Sequence, residues 1–337
     1  MSQNTTLSRS ARLFCYLGPP SVILVTAIAS PKTALISPIA FLPSVGALET
    51  WRTANKAEPS RRARLEPLIW TYALIGTVGL ATVGVVQMGA LKLIDPLLFG
   101  AGELRKDYWK EFVRSSVDGL TINELARRAE LSKSWQNWVF NGVLSFALAG
   151  ACEEILKYLP VVYARRREQK QQKVVEEKAN PETPAKQPPS RAYLDYALAG
   201  ALSFGVIENI GFIYVSCAPG LESWSKLIGT LAERITVGAT GHALLASITA
   251  LRATRRDHYG GKISLWRLLA PAAILHGAWD FWAFSLSTLQ GNVGWIHPTD
   301  FKSNAALFSG AALIFSIEGW LITRELKKLE DLERRSK

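Results

Sequence analysis

Cysteine is scarce in this chain, and several familiar catalytic signatures are missing. Three cysteines occur in 337 residues, Cys15, Cys152 and Cys217, each inside or at the edge of an apolar segment. Their spacing supports neither a disulfide framework nor a zinc motif. All three read as small buried hydrophobes. No H-E-x-x-H is present, so the helical zinc-protease signature is lacking. No internal repeat is found, which argues against the repeat architecture of many transporters. Residues 1–12 are polar and lack a leader's layout, so no cleavable signal peptide is expected.

What the chain has in quantity is long apolar sequence. It is 48% hydrophobic, with a mean hydropathy of +0.11. The apolar residues fall into blocks of about 17–26 residues, the length that crosses a bilayer. Eight blocks are read: 13–30, 33–49, 67–90, 138–163, 193–216, 231–251, 266–289 and 304–323. Pro19, Pro20, Pro31, Pro38 and Pro43 interrupt the first pair, which leaves a short hairpin or re-entrant pair open there. The expected fold class is all-α, a polytopic integral membrane protein of about eight transmembrane helices.

The net charge of +11 is distributed by loop. Loops 50–66, 164–192 and 252–266 and the C-terminal tail are rich in Lys and Arg. Loops 217–230 and 290–303 hold one lysine each, Lys226 and Lys302. Lys/Arg excess marks the cytoplasmic side, so both termini are expected in the cytosol. The basic charge is thus a topology signal, and no nucleic-acid partner is expected. Loop 91–137 then faces outward. Thr121 and Glu124 have capping-box spacing there, and Trp109, Trp135 and Trp138 suggest that the loop lies on the membrane surface. Loop 164–192 is charged and rich in Gln and Pro, and is expected to be disordered after a helical turn or two. Three regions follow: 1–137, an N-terminal membrane region with a surface loop; 138–289, a four-helix core; and 290–337, a last span with a cytosolic tail.

Within the core, ionisable residues interrupt four consecutive apolar segments. Glu153, Glu154 and Lys157 lie in the fourth, Glu208 and Asn209 in the fifth, His242 in the sixth, and His276 and Asp280 in the seventh. A charge at the bilayer centre costs about 2.5–3.5 kcal/mol on the insertion scale. Glue alone would be served by Ser or Asn, so carboxylates and imidazoles point to function. Counted along each segment, Glu153, His242 and His276 lie about 14–15 Å deep and Glu208 about 22 Å. Glu153 and Lys157 share a helix face and can pair, as can His276 and Asp280. Glu154 is turned about 100° from Glu153.

These residues resemble the PrsW-type membrane proteases, glutamic-type intramembrane peptidases related to CAAX prenyl endopeptidases. The pattern E-E-x-x-K is matched by Glu153, Glu154 and Lys157, and F-x-x-x-E-N by Phe204, Glu208 and Asn209. G-H is matched by Gly241 and His242, and H-x-x-W-D by His276, Trp279 and Asp280. The resemblance implies an intramembrane endopeptidase acting on membrane or lipidated proteins, with no cofactor and no metal. Glu153 or Glu154 would activate water, with His242, then His276, as its partner. Glu208 would share a proton. Lys157, Asn209 and Asp280 would support, with Asn209 donating to the oxyanion and Asp280 holding the His276 tautomer. A zinc-dependent membrane protease, a non-catalytic membrane scaffold or chaperone, and a proton-coupled transporter are the alternatives.

Overall fold

Apolar blocks broken by few turn residues have one way to satisfy their backbone in lipid, which is to coil. The computed structural model describes residues 7–57, 62–114, 116–178, 191–215, 224–298 and 300–336, and every regular element in them is helical. Among the described residues, six helices are long and apolar enough to cross a membrane: Arg9–Ile28, Pro31–Ala54, Leu65–Phe99, Trp135–Lys170, Ala192–Tyr214 and Phe301–Arg335. The chain is a polytopic integral membrane protein. The expected sixth and seventh segments are also helical, within residues 224–258 and as α13 (Leu265–Leu289). They are outside those six, and they carry Arg234, His242, His276 and Asp280.

Local chemistry fixes where the helices start and stop. The expected first pair is three helices, α1 (Arg9–Ala29), α2 (Pro31–Ala40) and α3 (Leu42–Ala57). Pro19 and Pro20 lie inside α1, while Pro31 opens α2 behind the N-cap Ser30, a position where its missing N–H has no consequence. From α4 (Leu65–Leu74) the chain passes through a π-helical turn into α5 (Leu80–Phe99), past the expected end at residue 90. Helices α6 (Glu103–Phe112) and α7 (Ile122–Lys133) occupy the expected surface loop. At α7 the capping box forms: Glu124 N–H donates to Thr121 Oγ1 at 3.3 Å, and Thr121 N–H to Glu124 Oε2 at 2.9 Å. Helix α8 (Trp135–Gly142) follows.

This outer layer is locked to the core by one buried arginine. Arg128 of α7 donates to Glu111 Oε2 at 2.7 Å, Asn292 Oδ1 at 3.0 Å and the Val293 carbonyl at 2.6 Å. Burial pushes the Glu111 carboxyl up, but hydrogen bonds and charge from Arg114 and Arg128 outweigh it and hold the group below its usual range. Arg128 thus ties α7, in the first expected region, to the loop after α13, in the third.

Helix α9 (Cys152–Lys178) runs well past the membrane segment. Polar sequence after residue 164 thus continues as helix to Lys178 where disorder was expected. Residues 179–190 of that loop lie outside the described residues, as does Cys217. The remaining helices are α10 (Ala192–Val215), α11 (Trp224–Glu233), α12 (Ala239–His258) and α14 (Phe301–Ser336). The last contains the expected continuation of the final span into the charged tail.

Three π-helical segments interrupt the bundle: Ile75–Gly79, Val143–Ala151 and Arg234–Gly238. Such insertions gather at functional sites. The second runs directly into Cys152 and Glu153. Two glycines let α13 close onto it. A Cβ on Gly150 would stand 2.5 Å from the Ala273 carbonyl oxygen, and one on Gly277 would stand 2.5 Å from the Phe146 ring. This approach brings His276 against the two glutamates.

Candidate active site

Helices α9, α10, α12 and α13 deliver all eight sequence-selected side chains to one place. Glu153, Glu154, Lys157, Asn209, His242 and His276 are buried. Glu153, Glu208, His242, His276 and Asp280 line a cavity of about 390 Å³, together with Arg234 and Glu318. Glu208, the deepest residue when counted along its own segment, meets His242 directly. Its Oε2 lies 2.9 Å from His242 Nε2. Depth along one helix ignores how far neighbouring helices are staggered, which explains the discrepancy.

The two glutamates have different environments. Lys157 Nζ donates to Glu154 Oε1 at 2.8 Å, but lies 3.5 Å from Glu153 Oε2. The tighter lysine pair is therefore the i,i+3 one, not the i,i+4 pair expected from spacing. His276 Nδ1 lies 3.0 Å from Glu154 Oε1, while its Nε2 lies 3.6 Å from both Glu153 Oε2 and Asp280 Oδ2. One oxygen of Glu154 thus holds both Lys157 and His276. Glu153 faces the cavity, and besides the 3.5 Å approach of Lys157 it accepts from the Gln87 amide at 3.3 Å through Oε1.

Proton positions follow from these partners. A carboxylate only accepts, so His276 Nδ1–H donates to Glu154 and Nε2 is left pointing at Glu153 and Asp280. The nearer group fixing this ring is Glu154, since 3.6 Å to Asp280 exceeds hydrogen-bond range. His242 Nδ1 lies 2.9 Å from Lys157 Nζ. An ammonium only donates, so Nδ1 accepts and Nε2–H donates to Glu208. The two imidazoles meet edge to face with centroids 5.5 Å apart, and Phe204 packs against His242 at 5.5 Å.

Three partners escape a reading of the sequence. Arg234 bonds Glu208 and donates through Nε to Asn209 Oδ1 at 2.9 Å, while Asn209 Nδ2 donates back to the Arg234 carbonyl at 3.1 Å. Asn209 is thereby engaged in positioning Arg234 and, through it, Glu208. Arg234 sits near the start of an apolar block, where a cation reads as a flanking charge. Gln87 of α5 donates to the Leu148 carbonyl at 2.9 Å as well as to Glu153. Glu318 of α14 is a lone acid in the last apolar block, and that isolation was the available signal.

Glu153, His242 and His276 also offer one carboxylate oxygen and two imidazole nitrogens within 4.8 Å of one another. In kind this set fits a divalent ion such as zinc. Both ring nitrogens of His242 have partners in the arrangement described, so ligation would require it to release Lys157 or Glu208.

The described residues thus place an acid–imidazole cluster on the wall of a cavity in a membrane-spanning helical bundle. The family model described as "PrsW family intramembrane metalloprotease" matches residues 115–302, more than half of the chain. The chain belongs to this family of intramembrane proteases. No curated protein and no solved structure matches it.

Proposed function

We propose that this protein is a glutamic-type intramembrane endopeptidase in which Glu153 is the general base. The supporting observation is the pairing of a cavity-facing carboxylate with an imidazole nitrogen. Glu153 Oε2 and His276 Nε2 stand 3.6 Å apart, beyond a direct hydrogen bond and within reach of one shared water. Glu153 takes a proton from that water, and the resulting hydroxide attacks the scissile carbonyl carbon. His276, fixed by Glu154, accepts from the water through Nε2, and the imidazolium form would donate from Nε2 to the oxyanion. The His242–Glu208–Arg234 chain holds the adjoining wall, and Lys157 keeps Glu154 ionised and in place. The proton held by Glu153 then passes to the leaving amine, and no covalent intermediate forms. The kinship to CAAX prenyl endopeptidases belongs to this reading. Its substrate class is membrane or lipidated protein.

A second reading rests on the three-ligand set and on the family's description as metalloproteases. Glu153, His242 and His276 would hold the ion, and it would supply Lewis-acid activation of water. Cleavage of a reporter membrane protein by the purified enzyme separates the two. Under the glutamic reading, activity survives prolonged treatment with a strong chelator, within about twofold. Loss on chelation with recovery on adding zinc would establish the metal reading. No cleavage under any condition would leave a scaffold.

For topology we propose eight spans with both termini in the cytosol, on the Lys/Arg alternation of the loops. Reporter fusions at Gly260 and at the C-terminus should then register on the cytosolic side and one at Ser116 on the other. Opposite sides for Gly260 and the C-terminus would overturn it.

A further inference from the structure

Glu318 belongs to the cavity but stands apart from the acid–imidazole network. It comes from α14, beyond the residues matched by the family. It is 1% exposed, and it lines the cavity beside Ile314 and Phe315. Its Oε2 is buried with no hydrogen-bond partner among the described residues. The charged groups that act on it are Glu154 and His276; neither hydrogen-bonds it. An unpaired buried carboxyl is costly, and nothing in the packing of α14 calls for one. Phe315 already fills the contact to Gly241.

The reaction creates a need that this group meets. A transmembrane substrate arrives as a helix whose N–H and C=O groups are bonded internally. Hydrolysis requires a stretch of it to unwind, which leaves peptide groups in need of new partners on the cavity wall. The wall must replace those bonds. Two of the other carboxylates on the wall are engaged, Glu208 with Arg234 and His242 and Glu153 with Gln87, while Asp280 stands 3.6 Å from His276. Glu318 has a free oxygen.

We propose that Glu318 binds the substrate backbone, pairing with a peptide group of the unwound segment beside the scissile bond. Ionised, the carboxyl accepts from the peptide N–H. Protonated, it also donates to the carbonyl. Glutamine offers the same two complements, and leucine offers neither. The inference rests on the peptidase reading and names a substrate-binding residue of that same site.

The test is steady-state cleavage of the reporter by Glu318→Leu and Glu318→Gln in the full chain, with thermal unfolding measured alongside. Glu318→Leu should raise KM by about tenfold or more with a smaller change in kcat, the mark of lost binding. Its unfolding temperature should stay equal or rise, because the leucine needs no partner. Glu318→Gln should recover at least half of the loss on a logarithmic scale. Glu318→Ala replaces the leucine variant if that one does not fold. Wild-type kinetics for the leucine or alanine variant would overturn the proposal. So would a glutamine variant as weak as the leucine one, since charge and not pairing would then matter. Glu153→Gln run in parallel separates the failures. If it retains activity, Glu153 falls as the base; if the wild-type chain itself cleaves nothing, the peptidase reading falls and this inference with it. If Glu153→Gln is inactive while Glu318→Leu behaves as wild type, only the present inference falls.

Discussion

Glu153→Gln is expected to lower kcat/KM for reporter cleavage by at least about a hundredfold, the scale of a lost general base. Glutamine keeps the shape and cannot take the proton. Stability should move the other way or not at all. Glu153 makes no contact shorter than the 3.3 Å one from Gln87, and a neutral amide is cheaper to bury than a carboxylate. Thermal unfolding of the purified variant should therefore match or exceed wild type, the trade shown by functional sites. A variant that is both inactive and markedly less stable would mark Glu153 as glue between helices. A variant that still cleaves would remove it as the base.

Glu154→Gln is expected to do the opposite damage first. Adjacency in the sequence makes the two glutamates look interchangeable, but Glu154 holds Lys157 at 2.8 Å and His276 at 3.0 Å through one oxygen. Losing its charge leaves a fully buried ammonium whose remaining carboxylate is Glu153 at 3.5 Å, with the neutral His242 Nδ1 at 2.9 Å as its other partner. Removing one partner of a buried ion pair costs about 3–5 kcal/mol, so a large fall in unfolding temperature should accompany the loss of activity. Adding Lys157→Met to Glu154→Gln removes the stranded charge, and should recover much of the stability and none of the activity. Equal unfolding temperatures for Glu154→Gln and wild type would show that the pair does not hold α9 in place.

Much of this site was legible because lipid makes charge conspicuous. Glu153, Glu154, Lys157, Glu208, His242, His276 and Asp280 each interrupt apolar sequence, and their order along the chain suggested one bundle. Their convergence needed coordinates, as did the difference between Glu153 and Glu154. Both sit in one helix, and which one faces the cavity depends on the π-helical run Val143–Ala151 just before them. Leu, Ala, Val and Gly in that run read as ordinary α-helix, so nothing in the composition announces the extra residue. Gln87 was invisible for a different reason. It is neutral, and a single amide in a transmembrane segment carries no charge penalty that would flag it. The helical extension of α9 to Lys178 was missed because polar, Gln-rich sequence is compatible with a solvated helix as well as with disorder.

Gln87 on α5 and Glu318 on α14 both come from outside residues 115–302, the stretch that defines the family. Two walls of the cavity are thus made by helices outside the family match. A substitution in α5 or α14 can change the shape and polarity of the cavity without replacing any acid or imidazole on the other four helices. What the cavity admits and what lies at its centre are in this chain carried by different stretches of sequence.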